Sequence, residues 1–263
     1  MNTLKIENLT VQVDNKTILK DFNLKINPGE IHVLMGPNGI GKSTLTKVIM
    51  GDSSYIIEGG SIHYNDKLIN DMSVDERSRL GIFLGMQHPL EIEGVTNADF
   101  LRSAVNVREK DNFRLFEFIK SLDIAVDKLK MNNNMIHRGV NQGFSGGERK
   151  KNEILQMYML KPSLVLLDEI DSGLDVDSLK IVGNSVMDYF KQYSPGILLI
   201  THYERLLKYI KPTHVHIISE GKIIKTGDYS LIKEIEKNGF NEINTKKVTS
   251  IGTCAIKEFI KNE

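Results

Sequence analysis

Residues 36–43 read Gly36-Pro37-Asn38-Gly39-Ile40-Gly41-Lys42-Ser43, with glycines, a lysine and a hydroxyl residue at the spacing of a phosphate-cradling loop. Glycines let a backbone wrap closely around phosphates with its N–H groups turned inward. A helix that follows offers its positive N-terminal end to the anion. In such a loop Lys42 reaches the β- and γ-phosphates of a nucleoside triphosphate, and the Ser43 hydroxyl ligates Mg²⁺. Gly36, Pro37, Asn38, Gly39, Gly41, Lys42, Ser43 and Thr44 form the candidate binding set. An ordinary glycine turn is the competing reading. The apolar run Ile31–Met35 before the motif and the helical stretch after it argue against that.

Asp168-Glu169 ends a second apolar run, Leu164–Leu167. Two carboxylates are costly inside a strand, but at its end they can serve a metal and a water. Asp168 is then the Mg²⁺ residue, and Glu169 the base that positions water for attack on a γ-phosphate. A strand-end turn carrying two acids is the alternative. Ser145-Gly146-Gly147-Glu148 is a capping box opening a helix that runs to about Leu160, ahead of Pro162. Its N-terminus, cleared by two glycines, is a second anion site unless it is simply a well-capped helix. One nucleotide does not need two cradles in one chain. A head-to-tail pair of chains does, with the loop at 36–43 of one facing Ser145 and Gly147 of the other.

The elements that hold these residues follow from periodicity. Residues 4–26 read as strands, with Phe22, Leu24 and Ile26 alternating with polar residues. Ile31–Met35 is a short strand, a helix spans about Lys42–Met50, and Gly51 stops it. Leu164–Leu167 and Ile197–Ile200 are unbroken apolar runs suited to parallel strands buried on both faces. Val215–Ile218 and Ile223–Thr226, hinged at Gly221, read as a closing hairpin. Residues 90–160 carry helical periodicity instead, as in Phe113, Phe116, Phe118, Ile119 and Leu122. The division expected is an α/β core over 1–88 and 162–240, an inserted helical subdomain over 89–161, and a tail at 241–263 of unread role.

Composition narrows the classes. The 263 residues suffice for one large α/β domain with an inserted lobe. Lys plus Arg equals Asp plus Glu, so no electrostatic footprint for nucleic acid is expected. The short cluster Arg149-Lys150-Lys151 reads as a solvated helix face. A single cysteine, Cys254, can form neither an internal disulfide nor a thiolate metal site by itself, which fits a reducing, cytoplasmic setting. No apolar stretch approaches the roughly 20 residues of a membrane span, so no direct membrane insertion is expected.

Taken together, the motifs resemble the ABC ATPases. The set comprises the loop at 36–43, Gln87, Ser145-Gly146-Gly147-Glu148, Asp168-Glu169, Ser172-Gly173-Leu174-Asp175 and His202, in family order over roughly residues 4–228. The resemblance implies an ATPase using ATP and Mg²⁺ on a P-loop core with a mixed sheet, an N-terminal antiparallel β portion and an inserted helical subdomain. It implies that Gln87 contributes to Mg²⁺ and couples the helical lobe to the site. His202 would contact the γ-phosphate and Asp175 the partner copy. Two departures stand out. Ile170-Asp171 follows the catalytic glutamate where the family often has Pro-Thr, and Val13 stands near the place where an aromatic usually stacks on adenine. Losing that stacking costs about 1 kcal/mol, so modest ATP affinity is expected.

The finer pattern resembles the SufC family, ABC ATPases of the SUF iron–sulfur cluster assembly machinery. It lies in the segment Gly85–Val95, in Gly143–Asn152, in Leu167–Asp175 with its Ile-Asp pair, and in Thr201-His202-Tyr203. The resemblance implies SufB- and SufD-like scaffold proteins as partners, which would hold iron and sulfide. A further expectation is that Lys150 pairs with Glu169 at rest and suppresses hydrolysis. The nucleotide-binding subunit of an ABC transporter shares every catalytic motif and remains the alternative. A translation or repair ABC protein would bring two motif sets or a basic extension, which this chain lacks.

Overall fold

A computed structural model describes residues 2–108, 114–201, 204–235, 237, 239 and 240. Phe113, His202 and the tail 241–263 lie outside the described residues. Strands β1 (Leu4–Val13) and β2 (Lys16–Ile26) form a hairpin, followed by β3 (Ile31–Met35) and helix α1 (Lys42–Met50). The turn between β1 and β2 is Asp14-Asn15, both with positive φ, the geometry that matches strand twist. The same device recurs at Asn65-Asp66, between β4 (Ile56–Tyr64) and β5 (Lys67–Leu68). After α2 (Val74–Arg79) and β6 (Ile82–Gly85) the chain leaves the core. It builds β7 (Ile92–Thr96), α3 (Asn97–Arg108), α4 (Leu115–Lys128), β8 (Gly139–Val140) and α5 (Gly146–Leu160). It then returns through β9 (Leu164–Asp168), α6 (Val176–Tyr193), β10 (Gly196–Ile200) and the short α7 (Glu204–Leu207). The hairpin β11 (His214–Ser219) and β12 (Lys222–Gly227) follows.

The main sheet has the order β12-β11-β3-β10-β9-β6, with β12 antiparallel and the other five parallel. A separate antiparallel sheet has the order β2-β1-β4-β5. Both match the expected fold class: a mixed sheet, an N-terminal antiparallel portion and a helical region inserted between two strands that are neighbours in space. The central strands are buried on both faces. Val165, Leu167, Ile197 and Leu199 join the helices α3 to α6 on one side. Leu164, Leu166, Leu198 and Ile200 join α1 and the antiparallel sheet on the other. Continuous apolar runs are the sequence consequence of that position.

Two features differ from expectation, and a third, the inward face of α4, goes beyond it. Strand β4 extends the antiparallel sheet beyond the strand stretch expected over residues 4–26. Its pattern is weakened by Gly59 and Gly60, which pair opposite a bulge in β1. On α4 the inward phase is Phe118, Leu122, Ala125 and Val126, whereas Phe116 and Ile119 are exposed. The cluster Arg149-Lys150-Lys151 is not a plain solvated face, because Lys150 is buried.

Arg77 of α2 is fully buried and ties α1 to its surroundings. Its guanidinium donates to the carbonyls of Val48 and Ile49 in the last turn of α1 (2.8 and 2.9 Å), and to Asn70 and Met72 (2.7 and 2.9 Å). These bonds satisfy carbonyls that a helix end otherwise leaves open. Arg77→Met removes four donors while keeping most of the volume. The expected loss is about 3 kcal/mol in urea unfolding. A loss under about 1 kcal/mol would show that water replaces the guanidinium.

Candidate active site

Strand β3 delivers the glycine loop directly. A Cβ on Gly36 would lie 2.7 Å from the Ile218 carbonyl oxygen of β11, so only glycine lets the loop leave the sheet there. Gly41 caps α1 with φ 104°, a left-handed turn that aims the first N–H groups of the helix back at the loop. The Lys42 ammonium donates to the carbonyls of Gly36 (2.9 Å) and Pro37 (2.7 Å). Burial pulls its pKa down, and the charges of Glu169 and Asp168 oppose that.

The second half of the site comes from β9, two strands away across β10. The Ser43 hydroxyl donates to Asp168 Oδ1 at 3.1 Å, and Thr46 approaches Oδ2 at 3.5 Å. Burial pushes the Asp168 carboxyl up, and the Ser43 bond works against it. The next residue, Glu169, has φ 47°, and its N–H bonds the Ile200 carbonyl at 2.9 Å. That sparsely populated conformation for a non-glycine turns its side chain off the strand, and Gln87 Nε2 donates to Glu169 Oε2 at 2.6 Å. A cavity of about 290 Å³ gathers Asn38, Gly39, Gly41, Lys42, Ser43, Thr44, Gln87 and Glu169. The donor set beside it, a serine hydroxyl, an aspartate and the remaining amide oxygen of Gln87, is all hard oxygen and fits Mg²⁺.

The aliphatic wall of this cavity is Ile18 of β2; Val13, the residue expected near the base, does not line it. No sequence signal singled out Ile18, because a hairpin brings it to the loop. Its Cγ2 would lie 2.9 Å from a Cβ on Gly41.

Ser145, Gly147 and Asp175 are assembled elsewhere. The Ser145 capping box is present: its Oγ accepts from the Glu148 N–H, and Glu148 Oε2 accepts from the Ser145 N–H at 2.8 Å. Gly147 packs beside Ser178 and Leu174 at the start of α6, where Asp175 Oδ1 accepts from the Ser178 N–H at 2.6 Å. None of these residues lines the phosphate-loop cavity.

The structure pairs Lys150 with Glu153 rather than with Glu169. Both side chains are buried, 3.2 Å apart on α5. The Lys150 ammonium also donates to the carbonyls of Met86 and Gln87 (2.9 Å to Gln87), while Glu153 Oε1 accepts from the Met86 N–H at 2.5 Å. The pair therefore clamps the backbone of the segment whose side chain holds Glu169. Sequence reasoning missed Glu153. An acid and a base at i, i+3 beside Ile154 and Leu155 was the available signal. Asp171, buried beside the site, accepts from the Thr201 hydroxyl at 2.5 Å, and Ile170 is core.

The fold and site define a P-loop ATPase. The family model for the ABC transporter matches residues 19–172, and the chain belongs to that family as an ABC-type ATPase. Vegetative protein 296 of Bacillus subtilis is 48% identical over 92% of this chain and 93% of its own length. A probable ATP-dependent transporter, slr0075, of Synechocystis is 46% identical over 94% of this chain and 98% of its own. Among solved structures, the dimeric ABC transporter cassette MJ0796 aligns with a TM-score of 0.75 at 19% identity, covering 86% of this chain and 98% of that one.

Burial pushes the Glu153 carboxyl up to about 7 although Lys150 and the Met86 N–H hold it down. Lys150→Met removes the cation and raises that value further, so the ionised form becomes the costly one. Stability lost to the mutation should grow as pH rises from about 6 to about 8, most of the growth coming above about 7, and the pH-dependent part should reach about 1 kcal/mol at the upper end. Urea unfolding at both pH values checks this; a pH-independent loss would mean that Glu153 does not titrate in the fold.

Proposed function

We propose that this chain is a SufC-type ATPase. It pairs head to tail with a second copy around two ATP molecules and drives SufB- and SufD-like scaffold proteins during iron–sulfur cluster assembly in the cytoplasm. Lys42 exchanges a loop carbonyl for β- and γ-phosphate oxygens. Ser43, Asp168 and Gln87 hold Mg²⁺, which supplies charge neutralisation on the phosphates when bound. Glu169 takes a proton from the attacking water as its oxygen bonds the γ-phosphorus, and the bridging oxygen leaves with ADP. Ser145 and Gly147 of the partner copy close over the γ-phosphate, Asp175 lies at the seam, and His202 is the remaining phosphate contact.

The observation that carries this reading is the place of Gln87. It lines the phosphate-loop cavity on one side and, on the other, an apolar groove of about 680 Å³ that includes Met50, Val74, Leu84, Met86 and Leu90. Met86, Val74 and Leu90 are exposed. A scaffold segment seated there would bear on the backbone that positions Glu169. Met86, Gln87, His88 and Leu90 of that groove belong to the 85–95 segment that resembles the SUF ATPases. The transporter alternative rests on the family's description and on relatives named as probable transporters. Among the described residues no helix is long and apolar enough to cross a membrane, so that reading too needs a separate membrane chain.

Glu169→Gln should lower kcat at least about 100-fold while ATP still binds, and should trap an ATP-dependent dimer visible by light scattering. Affinity capture of this variant from its own cells, read by mass spectrometry, then decides the partner. SufB- and SufD-like proteins support the proposal; a multi-span membrane protein overturns it in favour of a transporter.

A further inference from the structure

Three of the seven histidines meet at the end of the main sheet opposite the phosphate loop. His32 and His214 are register partners on the parallel strands β3 and β11, and His216 follows two residues along. Each interrupts an otherwise aliphatic stretch: Ile31, Val33, Leu34 and Met35 on one strand, Val215, Ile217 and Ile218 on the other. An imidazole there forgoes burial energy that an aliphatic side chain would supply.

The hydrogen bonds fix a directed chain. Asn27 donates to Glu30 through its backbone N–H (2.8 Å) and its side-chain amide (3.0 Å). Burial alone would raise the Glu30 carboxyl, but these bonds and one from His32 bring it down to about 2, so it is an acceptor only. His32 Nε2 therefore donates to Glu30 Oε2 at 3.0 Å. In the neutral ring, His32 Nδ1 accepts from His216 Nε2 at 2.8 Å, and His216 Nδ1 accepts from the Thr226 hydroxyl at 2.9 Å. His214 is not part of this chain. Its ring stacks on His32 with centroids 4.4 Å apart, and its Nδ1 meets the Thr213 hydroxyl at 3.0 Å, which leaves Nε2 as a ligand atom.

We propose that Glu30, His32 and His214 form a binding site for a divalent transition-metal cation of the zinc class. One ligand atom from each lies within 4.8 Å of the other two. Two imidazoles and a carboxylate, with water in the fourth position, are a zinc-type set, and nitrogen ligands select against Mg²⁺ and Ca²⁺. Ligand atoms on a tetrahedral ion stand about 3.4 Å apart, so closure asks for about 1.5 Å of movement. The partly buried His214 ring can supply it by turning out of its stack. Freeing His32 Nε2 for the metal needs no net loss of protons from the rings. The chain reverses polarity: His32 Nδ1–H donates to His216 Nε2, and His216 Nδ1–H donates to Thr226 Oγ1. His32 then has the outer hydrogen bond that orients a metal-bound imidazole. The ion would tie β3 to β11 far from the phosphates, so it acts on the stability of the sheet and not on hydrolysis.

The test uses the full chain stripped with a chelator and titrated with Zn²⁺ in the absence of nucleotide, followed by calorimetry and by thermal unfolding. One Zn²⁺ per chain is expected, with a rise in Tm. His214→Ala and Glu30→Gln should each weaken binding at least tenfold and abolish the rise in Tm. The exposed His137→Ala should bind as the parent does, and His214→Ala should keep the parent rate of ATP hydrolysis. Absence of stoichiometric zinc binding, or equal affinity in His214→Ala and the parent, overturns the proposal.

Discussion

Everything at the nucleotide end depends on one half-buried contact, the bond from the Ser43 hydroxyl to the buried Asp168. It joins the first turn of α1 to the end of β9, although the two are far apart in the chain. A carboxylate in that position is tolerable only with partners, since burial disfavours its charge. The fold supplies them by ending parallel strands at one level. Leu34, Ile200 and Asp168 are register partners across β3, β10 and β9. The glycine loop leaves just beyond Leu34, and Glu169 and Thr201 leave beside it. The twofold-buried sheet is thus what holds the carboxylates and the phosphate cradle to a common edge.

From that edge the helical region is connected through a narrow neck. The segment at Met86 and Gln87 carries the end of β6 out of the sheet, and α5 brings the chain back toward β9. Lys150 and Glu153 of α5 hold the neck by its backbone, while the side chain of Gln87 holds Glu169. The same α5 opens with the Ser145 cap. One helix therefore links the Ser145 cap, the groove wall at Met86 and the carboxylate of Glu169. A buried ion pair contributes little to stability by itself. Its value here is positional, because it fixes one peptide segment against one helix.

Much of this was legible in the sequence because it is local. The phosphate loop, the Ser145 capping box, the Gly51 stop and the two-faced strands all rest on residues within a few positions of one another, and the structure has each in place. The expectation for Lys150 was drawn across distant segments and was wrong in its partner. Its burial was hidden because a basic triplet looks the same whether it faces water or a peptide neck. The inward phase of α4 is not legible in the sequence for a similar reason. Aromatic residues occupy both of its faces, so their spacing alone did not say which side meets the core.

The sequence by itself determined the ABC-type ATPase class, the order of its motifs and the two glycine-bearing helix starts at Lys42 and Gly146. Each is encoded by backbone freedom and charge at short range, where glycine, capping and strand burial act. Only the tertiary structure decided that Ile18 walls the cavity, that Glu153 claims Lys150, that Gln87 stands between cavity and groove, and that three histidines and Glu30 converge. Those facts come from strand order and hairpin return. They bring residues such as His32 and His214 into register only after the whole sheet has assembled.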